Sequence, residues 1–185
     1  MRAVLLETKM TSFVALLRAI NVGGTGKLPM RDLHSICEQI GFAKVKTYIA
    51  SGNVIFLTKL SETKVKAALE ASLASYAGKP IRVLVRTAAE MEAVLAENPF
   101  RDTAPNRTVA IFLDEPPPSN ALETATGRKN EQLRIGRREI YVHYGDSMAN
   151  SRLKIPATKN GTARNINTVA KLAQMALSLQ RLATD

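Results

Sequence analysis

The chain has 185 residues, 45% of them apolar and only 5% aromatic with no Trp, and carries a net charge of +10. A chain of this length buries about 70% of its unfolded surface, so its core needs neither disulfide nor metal, and the single cysteine, Cys37, excludes an internal disulfide and a cysteine-built zinc site. No apolar run reaches the length of a membrane span, and residues 1–9 lack a signal peptide's apolar segment and cleavage site; a soluble, cytoplasmic protein is expected, with residues 1–9 either a disordered lead or a misassigned start and without an assigned function.

Residues 12–18 (SFVALLR) form a near-continuous apolar run, the pattern of a strand covered on both faces. A glycine-rich loop follows, and between Pro29 and Gly41 the residues Leu33, Ile36, Cys37 and Ile40 recur at helical spacing. Residues 44–50 alternate apolar and polar, residues 53–59 (NVIFLTK) are apolar, and Ser51-Gly52 between them predicts a hairpin. Ser61 and Glu62 open an Ala- and Leu-rich helix to about residue 76, Gly78 and Pro80 break it, and residues 81–86 read as a fourth strand. The order βαββαβ over residues 10–87 predicts a ferredoxin-like subdomain with an antiparallel sheet whose first and third strands are central. Those are the two most apolar strands. The unit's own helices cover one sheet face, so the second half of the chain is expected to cover the other.

In residues 88–185 a short helix (88–97) ends at Asn98-Pro99-Phe100 and a strand follows at 108–113. Three prolines, 116–118, block a helix until Ser119; a short helix to about residue 126, a hairpin (132–135 with 139–144) and a C-terminal helix (164–182) complete the pattern. The order βαββα is an incomplete echo of the first unit, without a visible residue-level repeat. The fold class is thus α+β, with two packed ferredoxin-like subdomains and the C-terminal helix packing back on the first. The 19 residues 145–163 are basic and longer than an ordinary connection, hence functional or mobile.

The positive charge is densest at the C-terminal end: residues 120–185 hold 11 Lys and Arg against 5 Asp and Glu, and residues 1–119 hold 15 against 11. Such a bias favours anionic partners or simply solubilises the surface. The loop at 19–28 (AINVGGTGKL) joins a strand to a helix, and its Gly23, Gly24, Gly26 and Lys27 either build an anion site at a helix N-terminus or permit a tight crossover. It is not a Walker A loop, because Asn21 and Leu28 replace the glycine and the Ser or Thr required. Ser51-Gly52-Asn53 suits a left-handed turn, or offers a hydroxyl and an amide to a ligand near that loop.

At 162–171 (TARNINTVAK) Thr162 is the expected N-cap, and Arg164, Asn167 or Thr168, and Lys171 fall on one helical stripe. That stripe binds phosphate or carboxylate in one reading and is a solvated face with a capping network in the other. Cys37 sits on an apolar helical face and His143 alternates with Tyr141 along a strand. No nucleophile with its base, carboxylate pair or metal cluster is visible, so hydrolytic and zinc chemistry have no support. RNA recognition through the sheet is disfavoured because Phe13 and Phe56 stand among apolar neighbours rather than on an exposed stacking face.

Five blocks, FVALLRAINVGG, Leu28-Pro29-Met30, GFAKVKTYIASGNVIF, Asn98-Pro99-Phe100 and TARNINTVAKLAQMA, together resemble domain-of-unknown-function family 1697, a family of uncharacterised bacterial proteins. The resemblance implies two packed ferredoxin-like subdomains and no particular activity. It marks Arg18, Asn21, Gly23, Gly24, Ser51, Gly52, Asn53, Thr162, Arg164, Asn165 and Lys171 as positions of importance. The chain departs from the family in having Ala19 where Gly is common and Ile166 where Trp is common.

The leading expectation is a binding module for an anionic or phosphorylated small ligand or nucleotide. Its candidate ligand-binding residues are Arg18, Asn21, Gly23, Gly24, Lys27, Ser51, Asn53, Thr162, Arg164, Asn165 and Lys171, with no cofactor, metal or membrane. An enzyme acting on such a ligand, a non-specific nucleic-acid binder and a protein-interaction module are the alternatives.

Overall fold

The structure, a computed structural model, describes residues 9–20 and 27–184. Among these, the first half contains β1 (Thr11–Leu17), α1 (Met30–Ile40), β2 (Ala43–Thr47), β3 (Asn53–Thr58), α2 (Glu62–Ala77), β4 (Val83–Thr87) and α3 (Ala88–Ala96). The second contains β5 (Thr108–Phe112), β6 (Gln132–Ile135), β7 (Glu139–His143), β8 (Thr162–Asn165) and α4 (Ile166–Leu182). The strands form two antiparallel four-stranded sheets, ordered β2-β3-β1-β4 and β6-β7-β5-β8.

Local chemistry sets the helix starts. Ser61 accepts a hydrogen bond from the Lys64 amide at the start of α2, and Thr87 and Glu90 form a reciprocal capping box on α3. The alternation of side chains along β1 and β3 then divides their apolar residues between two cores. Phe13, Ala15, Leu17, Val54 and Phe56 pack with Leu33, Cys37, Val65 and Leu69 of α1 and α2. On the opposite face Val14, Leu16 and Ile55 meet Met91 of α3 and Val169, Leu172 and Ala176 of α4, which in turn touch Ala110, Phe112 and Tyr141 of the second sheet. The helix pair α3–α4 therefore fills the space between the sheets, and this is why the central strands are apolar on both sides.

The outer face of the second sheet (Val109, Leu133, Ile140, Val142) is covered by irregular chain through Ala121 and Ile155. One expectation is corrected here. Residues 119–126 form turns instead of a helix, because the segment lies flat on that face and is held there by the Thr126–Lys154 bridge. The stretch 145–161 belongs to the same cover, with buried Ile155 and the single 3-10 turn Pro156–Thr158.

The start of the C-terminal helix is also corrected. Thr162–Asn165 is a strand along the free edge of β5, with Phe112 opposite Thr162 and Ala110 opposite Arg164. Edge pairing satisfies backbone groups that a helical turn would leave orphaned. The N-cap of α4 is Asn165, whose side chain accepts from the Asn167 amide at 2.8 Å, and the second half runs ββββα.

Candidate functional site

At the end of β1 the chain is tied on both sides. The Leu17 amide donates to Gly52 O at 2.8 Å and the Arg18 amide donates to Arg82 O at 3.0 Å. Past these bonds the backbone turns through Ala19 at φ +52°, a left-handed conformation that favours glycine. Where β1 leaves the sheet and β4 enters it, the ends of α1 and α2 stand apart and leave a cleft of about 680 Å³. Its walls carry four cations, Arg18, Lys27, Lys79 and Arg82, together with Tyr76 and the apolar side chains Ile20, Leu28 and Ile81.

Among the described lining residues there is no carboxylate. Arg18 donates through Nε to Gly161 O at 3.1 Å and through Nη2 to Lys159 O at 2.6 Å, which sets its guanidinium at the cleft wall without neutralising it. Tyr76 donates its hydroxyl to Asp32 Oδ2 at 2.7 Å, and that hydrogen bond holds the phenol above its ordinary pKa. Several cations of one sign around a walled cleft focus a positive potential into it. The volume is that of a small-molecule site.

Behind the cleft the remaining polar candidates converge, but on each other. Arg164 is 7% exposed. Its Nε donates to Asn53 Oδ1 (2.6 Å), Nη1 to Thr162 Oγ1 (2.8 Å) and Ala163 O (2.9 Å), and Nη2 to Leu17 O and Ser51 O (3.0 Å each). Asn53, fully buried, uses its amide nitrogen on Tyr48 O and Ser51 Oγ, both at 2.9 Å. Desolvation lowers the Arg164 pKa to about 10, so the group stays charged at neutral pH while every side of its fork is occupied by the protein.

The expected residues thus separate by location. Arg18 and Lys27 line the cleft. Ser51, Asn53, Thr162 and Arg164 form a sealed latch at its back. Asn165 caps α4 and donates to Asn106 O, and Lys171 lies on the exposed side of α4 beside Gln174, so the helical stripe joining Arg164 to Lys171 does not form. Asn21, Gly23 and Gly24 lie outside the described residues.

Lys79, Arg82 and Tyr76 were not singled out by sequence. A usable signal was present: in the expected order β4 borders β1, which brings the Lys79-Pro80-Ile81-Arg82 segment beside Arg18. Among the described residues no group of three His, Cys, Asp or Glu is placed to hold a metal ion.

Residues 10–141 match the model of a family described as "Protein of unknown function (DUF1697)". A solved structure of a conserved bacterial protein from Streptococcus pneumoniae is similar at 28% identity and a TM-score of 0.75, covering 90% of this chain and 99% of that one. No curated protein matches the chain.

Proposed function

The chain belongs to the DUF1697 family of proteins of unknown function, and we propose that it is a binding protein for a phosphorylated or otherwise anionic small ligand, held in the cleft between β1, β4 and the ends of α1 and α2. The observation that carries this reading is the convergence of Arg18, Lys27, Lys79 and Arg82 on one cleft of about 680 Å³ with no carboxylate among its described walls. Ammonium and guanidinium groups are the donors that phosphate and carboxylate accept best. The apolar residues Ile20, Leu28 and Ile81 beside Tyr76 suit the carbon part of such a ligand, as in a nucleotide.

Two further readings rest on the same fold. Each sheet is read as a ferredoxin-like unit, supported by the shared strand orders, with residues 10–87 as one subdomain and 88–185 as the other. The absence of any helix long and apolar enough to cross a membrane among the described residues fits a site reached from water.

The test is a thermal-shift titration with inorganic pyrophosphate and with ATP at low and physiological salt. A ligand at 100 times its Kd adds about 2.7 kcal/mol, which for a chain of this size raises Tm by about 5–10 °C. The shift is expected to vanish in Arg82→Glu and in Lys27→Glu, both exposed positions. A shift that survives both charge reversals overturns the assignment to this cleft. Stabilisation by oligonucleotides alone, collapsing steeply with salt, points instead to non-specific binding through the net charge.

A further inference from the structure

The two sheets repeat more than their strand order. In the first, Leu16 of β1 faces Asn53 of β3 and Leu84 of β4; in the second, Phe112 of β5 faces Glu139 of β7 and Thr162 of β8. Aligning Leu16 with Phe112 places Val14 on Ala110, and the residues opposite these are Arg86 on β4 and Arg164 on β8. Each arginine is followed by a helix N-cap, Thr87 or Asn165, and then by one of the two helices packed between the sheets. The residue-level repeat that the sequence hides is therefore present in the register.

The two guanidiniums do the same thing in opposite directions. Arg164 Nη2 donates to Leu17 O (3.0 Å) at the last residue of β1 and reaches Gly52 O (3.4 Å) in the hairpin of the other sheet. Arg86 Nη2 donates to Leu113 O (2.5 Å) just past β5 and to Arg138 O (2.9 Å) in the corresponding hairpin. Each also donates through Nη1 to the carbonyl before it, Ala163 O or Val85 O. The amides match as well: Leu17 donates to Gly52 O and Leu113 donates to Arg138 O, both at 2.8 Å. Both arginines are buried and desolvation lowers both pKa values, so each is held charged by backbone carbonyls of the opposite sheet.

What lies past the gripped carbonyl differs. After Leu17 comes Arg18, the cleft cation; after Leu113 comes Asp114, paired with Lys66. Near the Arg86 latch Arg138 is closed by Glu62 and Glu90, and Arg137 by Glu97. The Arg86 latch abuts a smaller cleft of about 240 Å³ whose walls mix arginines with Glu90, Glu97 and Glu139, so among the described residues only the Arg164 latch abuts a cleft lined by cations without a carboxylate. We propose that Arg164 is a positioning residue for that cleft, fixing the end of β1 from which Arg18 and Ile20 project, while its register-equivalent Arg86 serves the fold alone. The part that concerns ligand rests on the cleft reading above.

The equivalence supplies its own control. Lysine keeps the charge but has no planar fork, so Arg164→Lys and Arg86→Lys lower stability similarly and loosen different places. Amide hydrogen exchange on the full chain, referenced to Ile55 in the core, is expected to quicken about tenfold at Leu17 and Arg18 in Arg164→Lys, and at Leu113 but neither of those in Arg86→Lys. Pyrophosphate affinity then falls at least about fivefold in Arg164→Lys and is unchanged in Arg86→Lys. If Arg164→Lys does not fold, Thr162→Val, which removes one acceptor at the position where the first sheet has Leu84, gives the same pattern more weakly. Unchanged exchange at Leu17 and Arg18, or equal loss of pyrophosphate binding in both lysine variants, overturns the positioning role. Crossed exchange in a protein whose wild type ignores pyrophosphate leaves the positioning of the β1 end standing and sinks the ligand reading alone.

Discussion

Gly52 sits where the hairpin between β2 and β3 meets the end of β1, at φ +78°. A Cβ placed on it would come within 2.5 Å of Ile20 Cδ1, 2.7 Å of Ile20 Cγ1 and 2.9 Å of Leu17 Cβ. Ile20 can swing away, but Leu17 is fixed by the Arg164 and Gly52 hydrogen bonds. Gly52→Ala therefore combines a left-handed backbone penalty of about 1–2 kcal/mol, reduced by about 0.4–1 kcal/mol because alanine stiffens the unfolded chain, with an overpacking cost of about 1–3 kcal/mol. Gly78 separates these effects. At φ +68° it shares the backbone conformation, but an added Cβ meets nothing within 4 Å. The difference between Gly52→Ala and Gly78→Ala in urea unfolding is then the overpacking cost, about 1–3 kcal/mol, seen as about 2–12 °C in Tm. Equal losses in the two variants would refute the packing of this turn against Leu17 and Ile20.

Arg164→Ala leaves the Leu17, Ser51 and Ala163 carbonyls and the Asn53 and Thr162 side chains without their donor, and urea unfolding is expected to show a loss of about 1–3 kcal/mol for each buried acceptor left unsatisfied; a total loss below about 1 kcal/mol is incompatible with the latch. Burial pushes the Cys37 thiol from 9.0 up to about 12, so thiol reagents at mildly alkaline pH should label native protein about a thousandfold more slowly than urea-unfolded protein. Because the folded state keeps that proton longer, the associated stability is fully present below pH 9 and is lost as pH rises towards 12; Cys37→Ala should flatten this part of the pH–stability curve. Asn165→Ala should cost about 1 kcal/mol by uncapping α4, measured by thermal unfolding. Lys171→Ala should leave the pyrophosphate shift intact, and its loss would return the helix surface to the site.

The α+β class was legible because the apolar runs at 12–18 and 53–59 are too continuous for a half-exposed sheet, and because helix stops such as Gly41 and Gly78 stand at their ends. Phe13 and Phe56 are buried as the sequence suggested. The polar candidates were legible as residues but not as a site. Thr162-Ala163-Arg164-Asn165 scans equally as a capped helix start or a strand, and local propensity is too weak to decide when a neighbouring sheet offers a free edge. Once β5 takes that segment as β8, strand alternation turns Arg164 inward, where the nearest acceptors are carbonyls more than 110 residues away. The cleft likewise gathers cations from the end of β1, the start of α1 and the approach to β4. Composition and periodicity determined which segments had to be buried; which charges face water and which are sealed depended on long-range hydrogen bonds, because a guanidinium can be buried only where folding has already assembled acceptors on all its sides.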